Sequence, residues 1–185
     1  MIRRHLVQGL TLLELLVTLA ILSLLISFAS ASYEPLIIDH RGSTVLSELR
    51  HLVQFARSEA IKQNERVVLC PSQDGISCAQ AWSSRIILFA DPDNAREAGS
   101  VEEVLRDLHL VNPSEVIAYN RAALVFGALG QTLGSNGTFT YCWKNRPGSA
   151  RGLIVSRLGR LRGAMDYDGD GLREKYPGAP LSCPG

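Results

Sequence analysis

Residues 10–31 read LTLLELLVTLAILSLLISFASA. The run carries one charge, Glu14, and has no Gly or Pro. Its 22 residues, at about 1.5 Å each, reach roughly 33 Å, enough to cross a hydrocarbon core of about 30 Å. The residues before it, MIRRHLVQG, carry Arg3 and Arg4, which hold that end in the cytoplasm. Everything after the run is then expected outside the inner membrane.

Two plainer readings of the run exist. One is a secretory signal cut at the small residues Ala29-Ser30-Ala31, the other an ordinary signal anchor. Glu14 argues against both, because a carboxylate near the start of an apolar run costs a few kcal/mol to bury and needs a reason to be there. The run is also longer than a usual signal core.

Gly9-Leu10-Thr11-Leu12-Leu13-Glu14 resembles the prepilin cleavage motif. The resemblance implies that a prepilin peptidase cuts after Gly9 and that the new N-terminus at Leu10 is methylated. It also implies that Glu14 balances the charged amine of a neighbouring subunit in a filament core. Opposite charges in such an apolar setting are tolerable as a pair. Leu10 stands where that family usually has Phe.

The chain has 185 residues, 46% hydrophobic and 20% charged, which suits one domain plus an anchor and excludes a disordered chain. A net charge of +1 excludes a global polyanion-binding bias, so any such site must be a local cluster. The four cysteines, Cys70, Cys78, Cys142 and Cys183, allow three pairings in an exported chain. Short spacing favours Cys70–Cys78, leaving Cys142–Cys183. Zinc is the competing reading, weakened by the lack of a CxxC pair and of any ligand spacing between the cysteines and His5, His40, His51 or His109.

Pro35 predicts a kink or break. From Leu36 to Gln63, Val45, Leu49, Leu52, Ala56 and Ala60 recur at helical steps, while Arg41, Glu48, Arg50, Arg57 and Glu59 fall outside the stripe. After Asn64 the period shortens. Strands are expected at 66–70, 86–89, 122–126, 138–143, 152–156 and 158–161, with an edge strand at 104–108. Asn136-Gly137 signals a hairpin. From Met165 the tail is rich in Gly, Asp and Pro.

The ordered set Val67-Val68-Leu69-Cys70-Pro71-Ser72, Asp74-Gly75, Cys78, Trp82, Ile87-Leu88-Phe89-Ala90-Asp91, Leu124-Val125-Phe126, Gly130 and Gly137-Thr138-Phe139-Thr140-Tyr141-Cys142 is similar to the FimT/GspH family of minor pilins and pseudopilins, closest to FimT. The fold class implied is α+β: a long N-terminal pilin helix packed on a mostly antiparallel β-sheet head. The expected divisions are a leader (1–9), a transmembrane and filament-core helix (10–32), the amphipathic second half of that helix (33–63) and a β-rich head with a disulfide-tied tail (64–185).

FimT-type pilins are implicated in DNA uptake during natural transformation through a Gly-Arg-x-Arg motif, which stands here as Gly159-Arg160-Leu161-Arg162. In a strand, Arg160 and Arg162 would share one face about 7 Å apart, comparable to successive phosphates on one strand. Lys144, Arg146, Arg151 and Arg157 complete a window of six basic residues with no acidic one. The plainer reading is that they solubilise strands and loops. The functional reading is contact with double-stranded DNA without sequence preference, salt-dependent and directed at phosphates.

Asp166-Tyr167-Asp168-Gly169-Asp170-Gly171 matches the first half of a calcium loop, but the twelfth position is Pro177 rather than Glu, so an Asp/Gly turn suffices. No catalytic constellation is present, so the chain is expected to be neither an enzyme nor the holder of a cofactor or metal. The expected partners are DNA, other pilin subunits, prepilin peptidase and, before assembly, the inner membrane. Its head is expected in the periplasm and later in a pilus at the cell surface. Two alternatives are an assembly-priming minor pilin without DNA binding and a type II secretion pseudopilin.

Overall fold

A computed structural model describes residues 11–183 apart from 83 and 111. Gly9 and Leu10, the cleavage pair, lie outside the described residues. Helix α1 spans Leu12–Gln63. Thr11 caps it, accepting the Glu14 amide on Oγ1 at 3.2 Å, as expected of Thr three residues before Glu. A kink or break was expected at Pro35, and the helix does not break there: proline removes one hydrogen bond, and the bonds of flanking turns carry the helix on. It ends where Asn64 takes a positive φ of 54°. Glu65 then donates to the Ala60 carbonyl and Asn64 to that of Ile61, the Schellman arrangement.

The chain forms two compact units, residues 1–38 and 39–185. In the first, Leu12, Leu16, Leu19, Leu22 and Leu25 are all more than half exposed. Among the described residues of this unit nothing covers these side chains, and apolar helix surface so exposed calls for a non-aqueous environment or neighbouring copies. Among the described residues no helix is long and apolar enough to cross a membrane; the expected span, 10–32, begins outside them.

The second unit holds two antiparallel four-stranded sheets rather than one continuous sheet. The first is ordered β3 (Val104–His109), β2 (Arg85–Ala90), β1 (Val67–Pro71), β5 (Leu124–Phe126). The second is ordered β4 (Glu115–Tyr119), β6 (Gly137–Trp143), β7 (Arg146–Val155), β8 (Leu161–Gly163). Side chains alternate across a strand. Val67, Leu69, Ile86 and Leu88 therefore meet Val45, Leu49, Val53 and Ala56 of α1 in the main core. Val68, Cys70, Ile87 and Phe89 enter a second cluster on the opposite face. Burial on both faces explains why β1 and β2 read as unbroken apolar runs. Leu49 is fully buried, a position that contributes roughly 1.5–3 kcal/mol.

Strand β4 escaped the sequence reading because it opens with the charged Glu115 just after Pro113. The side chain is buried, and Arg41 of α1 pairs with it at 2.6 Å. Asn136-Gly137 does not close a hairpin. Neither residue has the positive φ that such a turn requires, and the chain changes sheets between β5 and β6. The tight turn lies instead at Lys144-Asn145 between β6 and β7, where Trp143 faces Arg146 and Asn145 has φ 61°. Disulfides join Cys70 to Cys78 and Cys142 to Cys183; the second ties the tail to β6.

Candidate nucleic-acid interface

Strands β7 and β8 are joined by Ser156-Arg157-Leu158-Gly159-Arg160. The Ser156 amide donates to the Arg160 carbonyl at 2.9 Å, the Gly159 amide to the Ser156 carbonyl at 2.9 Å, and the Arg160 amide to Ser156 Oγ at 3.0 Å. Gly159 is required twice over. Its φ is +73°, and a Cβ there would sit 2.5 Å from the Gly130 carbonyl oxygen and 3.0 Å from Arg57 Nε. Only glycine offers both the left-handed backbone and the missing carbon.

The strand expected at 158–161 is thus mostly turn, and β8 starts at Leu161. Arg160 and Arg162 are both exposed, but they engage different neighbours. Arg160 lines a groove against α1. Arg162 donates to the Tyr167 hydroxyl at 3.1 Å and to the Lys175 carbonyl of the tail. Both acceptors are neutral, so they orient the guanidinium without cancelling its charge. The nearby acids turn elsewhere: Asp166 accepts the Gly169 and Gly171 amides, Asp168 that of Asp170 and Asp170 that of Leu172.

The other basic residues of the window are not brought together with these. Lys144 and Arg146 lie at the far end of β7, nine residues from Val155, or roughly 30 Å along an extended strand. They line a cleft with Trp82, Arg121 and Trp143. Arg151 shares the inward parity of Leu153 and Val155. It forms an ion pair with Asp39 of α1, and its side chain is only 14% exposed. Burial pushes its pKa down, with Arg173 adding to the effect. Arg157 is exposed in the turn, and its carbonyl accepts the Thr132 amide at 3.0 Å. A window that is continuous in sequence therefore becomes one basic end, one half-buried ion pair and one remote turn.

Arg50 and Arg57 were expected only to be polar positions outside the apolar stripe of α1. Both line the Arg160 groove, together with Gln54. The available signal was spacing: 50, 54 and 57 follow the buried 49, 53 and 56 by one residue each, which puts them on one flank of the packed stripe.

The carboxylates of Asp166, Asp168 and Asp170 have oxygens within 4.8 Å of one another and are exposed. The Gly169 amide, above all, holds the Asp166 carboxyl below the usual range. Glu174, ninth in that loop, is buried and accepts the Tyr167 and Gly178 amides instead.

A helix-led α+β head behind an apolar, Thr-capped N-terminal segment defines the pilin class of filament subunit, and two family models match it. Residues 4–30 match the prokaryotic N-terminal methylation motif, and residues 46–159 match type II transport protein GspH. The chain belongs to the GspH family of pilin-like proteins. Its fold is similar to crystal structures of the type IV minor pilin FimU from Pseudomonas aeruginosa. One form is 20% identical over 66% of this chain and 87% of that one, with a TM-score of 0.55. A second form is 21% identical over 66% and 92%, with a TM-score of 0.52. No curated protein sequence matches the chain.

Proposed function

We propose that this chain is a minor type IV pilin that binds extracellular double-stranded DNA for uptake, without sequence preference. The observation that carries the reading is the exposure of Arg160 and Arg162 in the Gly159-Arg160-Leu161-Arg162 segment, whose two guanidiniums have no carboxylate partner among the described residues. Arg157 stands beside them. Lys144 and Arg146 form a separate basic point, and Arg151 serves the fold. In the unprocessed chain, residues 10–32 cross the inner membrane with the head in the periplasm. After cleavage behind Gly9, Glu14 answers the amine of a neighbouring subunit and the helix joins a filament. Weak individual contacts would gain avidity from such an array.

The test is fluorescence anisotropy of a labelled duplex titrated with the full chain in detergent micelles. Affinity should fall steeply with salt, and Arg160→Gln with Arg162→Gln should weaken it by roughly tenfold, about 1.4 kcal/mol. Wild-type affinity in the double variant sinks the site assignment.

The family description, type II transport protein GspH, favours a second reading: a secretion pseudopilin. Deleting the gene would then block secretion while transformation continues.

A further inference from the structure

The groove beside Arg160 is built jointly by α1 and the β7–β8 turn. Arg50, Gln54, Arg57 and Ser58 line its helix side, with Arg160 and Leu161 opposite. Among the described residues no carboxylate lines it, although the whole chain is almost neutral at +1. Arg50 and Arg57 are seven residues apart on one helix flank, about 10 Å along the axis.

The arginines sit on a supported frame. Arg57 Nε donates to the Gly130 carbonyl at 3.0 Å. That neutral acceptor fixes the side chain and leaves its charge intact. Gly159 packs against the same carbonyl and the same arginine, so the turn carrying Arg160 and the helix carrying Arg57 are held together. The Arg157 carbonyl, bound to Thr132, ties the 127–135 loop to that turn. Arg50 extends the row toward Gly163, where its Nη2 lies 3.9 Å from the position a Cβ would occupy.

We infer that α1 supplies a second arm of the binding site: Arg50 and Arg57 contact the phosphodiester backbone of the duplex gripped by Arg160, and the groove between them seats one strand. Guanidiniums fit this role through their planar donor fork, and contacts of this kind position a duplex without reading its bases. The inference rests on the DNA-binding reading and adds residues outside its motif.

The full chain in detergent micelles is titrated with a labelled duplex at several salt concentrations between about 50 and 200 mM, the range over which phosphate contacts are lost. Each phosphate contact removed makes the logarithmic salt slope shallower by about 1. Arg50→Gln with Arg57→Gln should therefore shallow it by about 2 and weaken binding severalfold. Arg50 makes no hydrogen bond or ion pair among the described residues, so Arg50→Gln alone leaves the fold intact and should shallow the slope by about 1. Arg57→Lys should keep most of the slope. If Arg160→Gln weakens binding while Arg50→Gln and Arg57→Gln keep the wild-type slope and affinity, the helix arm is wrong and the motif stands. If the wild-type chain binds no duplex at any of these salt concentrations, the DNA reading and the helix arm fall together.

Discussion

Arg41 on α1 grips Glu115 on β4 at two points, Nε to Oε1 at 2.6 Å and Nη2 to Oε2 at 3.3 Å. Glu115 is fully buried, and the Tyr141 hydroxyl donates to it at 3.1 Å. Glu115 raises the Arg41 pKa, its hydrogen bond being the main cause. The pair docks the helix to the second sheet from the residues just inside the head.

Losing one partner of a buried pair costs roughly 3–5 kcal/mol. The Arg41 side chain is 40% exposed, so water offsets part of that. Arg41→Ala should therefore destabilise the head by about 2 kcal/mol in urea unfolding. Glu115→Gln, which keeps the shape and an acceptor for Tyr141, should cost less. Equal and negligible losses would show that the pair is not what docks the helix.

Arg151 and Arg160 should separate stability from binding. Arg151→Gln breaks the contact with Asp39 and should lower stability by about 1 kcal/mol, a modest figure because Asp39 is 54% exposed. Its DNA affinity should stay near wild type. Arg160→Gln should do the reverse. Thermal melts and anisotropy on the two variants decide the matter.

Gly159→Ala puts a side chain into a left-handed backbone and against the Gly130 carbonyl. Such strain costs on the order of 1–3 kcal/mol, and the turn must shift to relieve it. A lower melting temperature together with weaker duplex binding is expected, although no charge is removed. Unchanged binding would mean that the turn does not position Arg160.

Alkaline pH should loosen the head. Burial raises the phenol pKa of Tyr119 and of Tyr141, and the Glu115 charge adds to it at Tyr141. An unfolded tyrosine ionises near 10. The folded-state values lie higher, so the stability these groups contribute is complete below about pH 10 and drains away as pH rises beyond it. In a tyrosinate absorbance titration, Tyr119 and Tyr141 should ionise only as near-UV circular dichroism is lost. All five tyrosines ionising with the spectrum intact is the contrary result.

Much of the fold was legible because its signals are local. The apolar run after Gly9 follows from composition and length, and the stripe Val45–Leu49–Leu52–Ala56–Ala60 and the doubly buried runs of β1 and β2 follow from burial acting at a fixed period. Strand β4 was missed because Glu115 lacks its partner in any local window: Arg41 stands on α1, at a separation of 74 residues. The hairpin expected at Asn136-Gly137 failed because the chain there crosses between sheets instead of turning back on itself.

The sequence alone determined that an apolar, once-charged helix leads an α+β head, and that Gly159, Arg160 and Arg162 lie close together in the chain. Helical period, residue transfer energy and strand alternation act over a few residues, so no partner is needed to read them. Only the tertiary structure decided which charges remain available. Packing turned Arg151 inward to Asp39, left Lys144 and Arg146 at the far end of β7, and set Arg50 and Arg57 beside Arg160. Those outcomes depend on which element covers which, and coverage is a property of the assembled core.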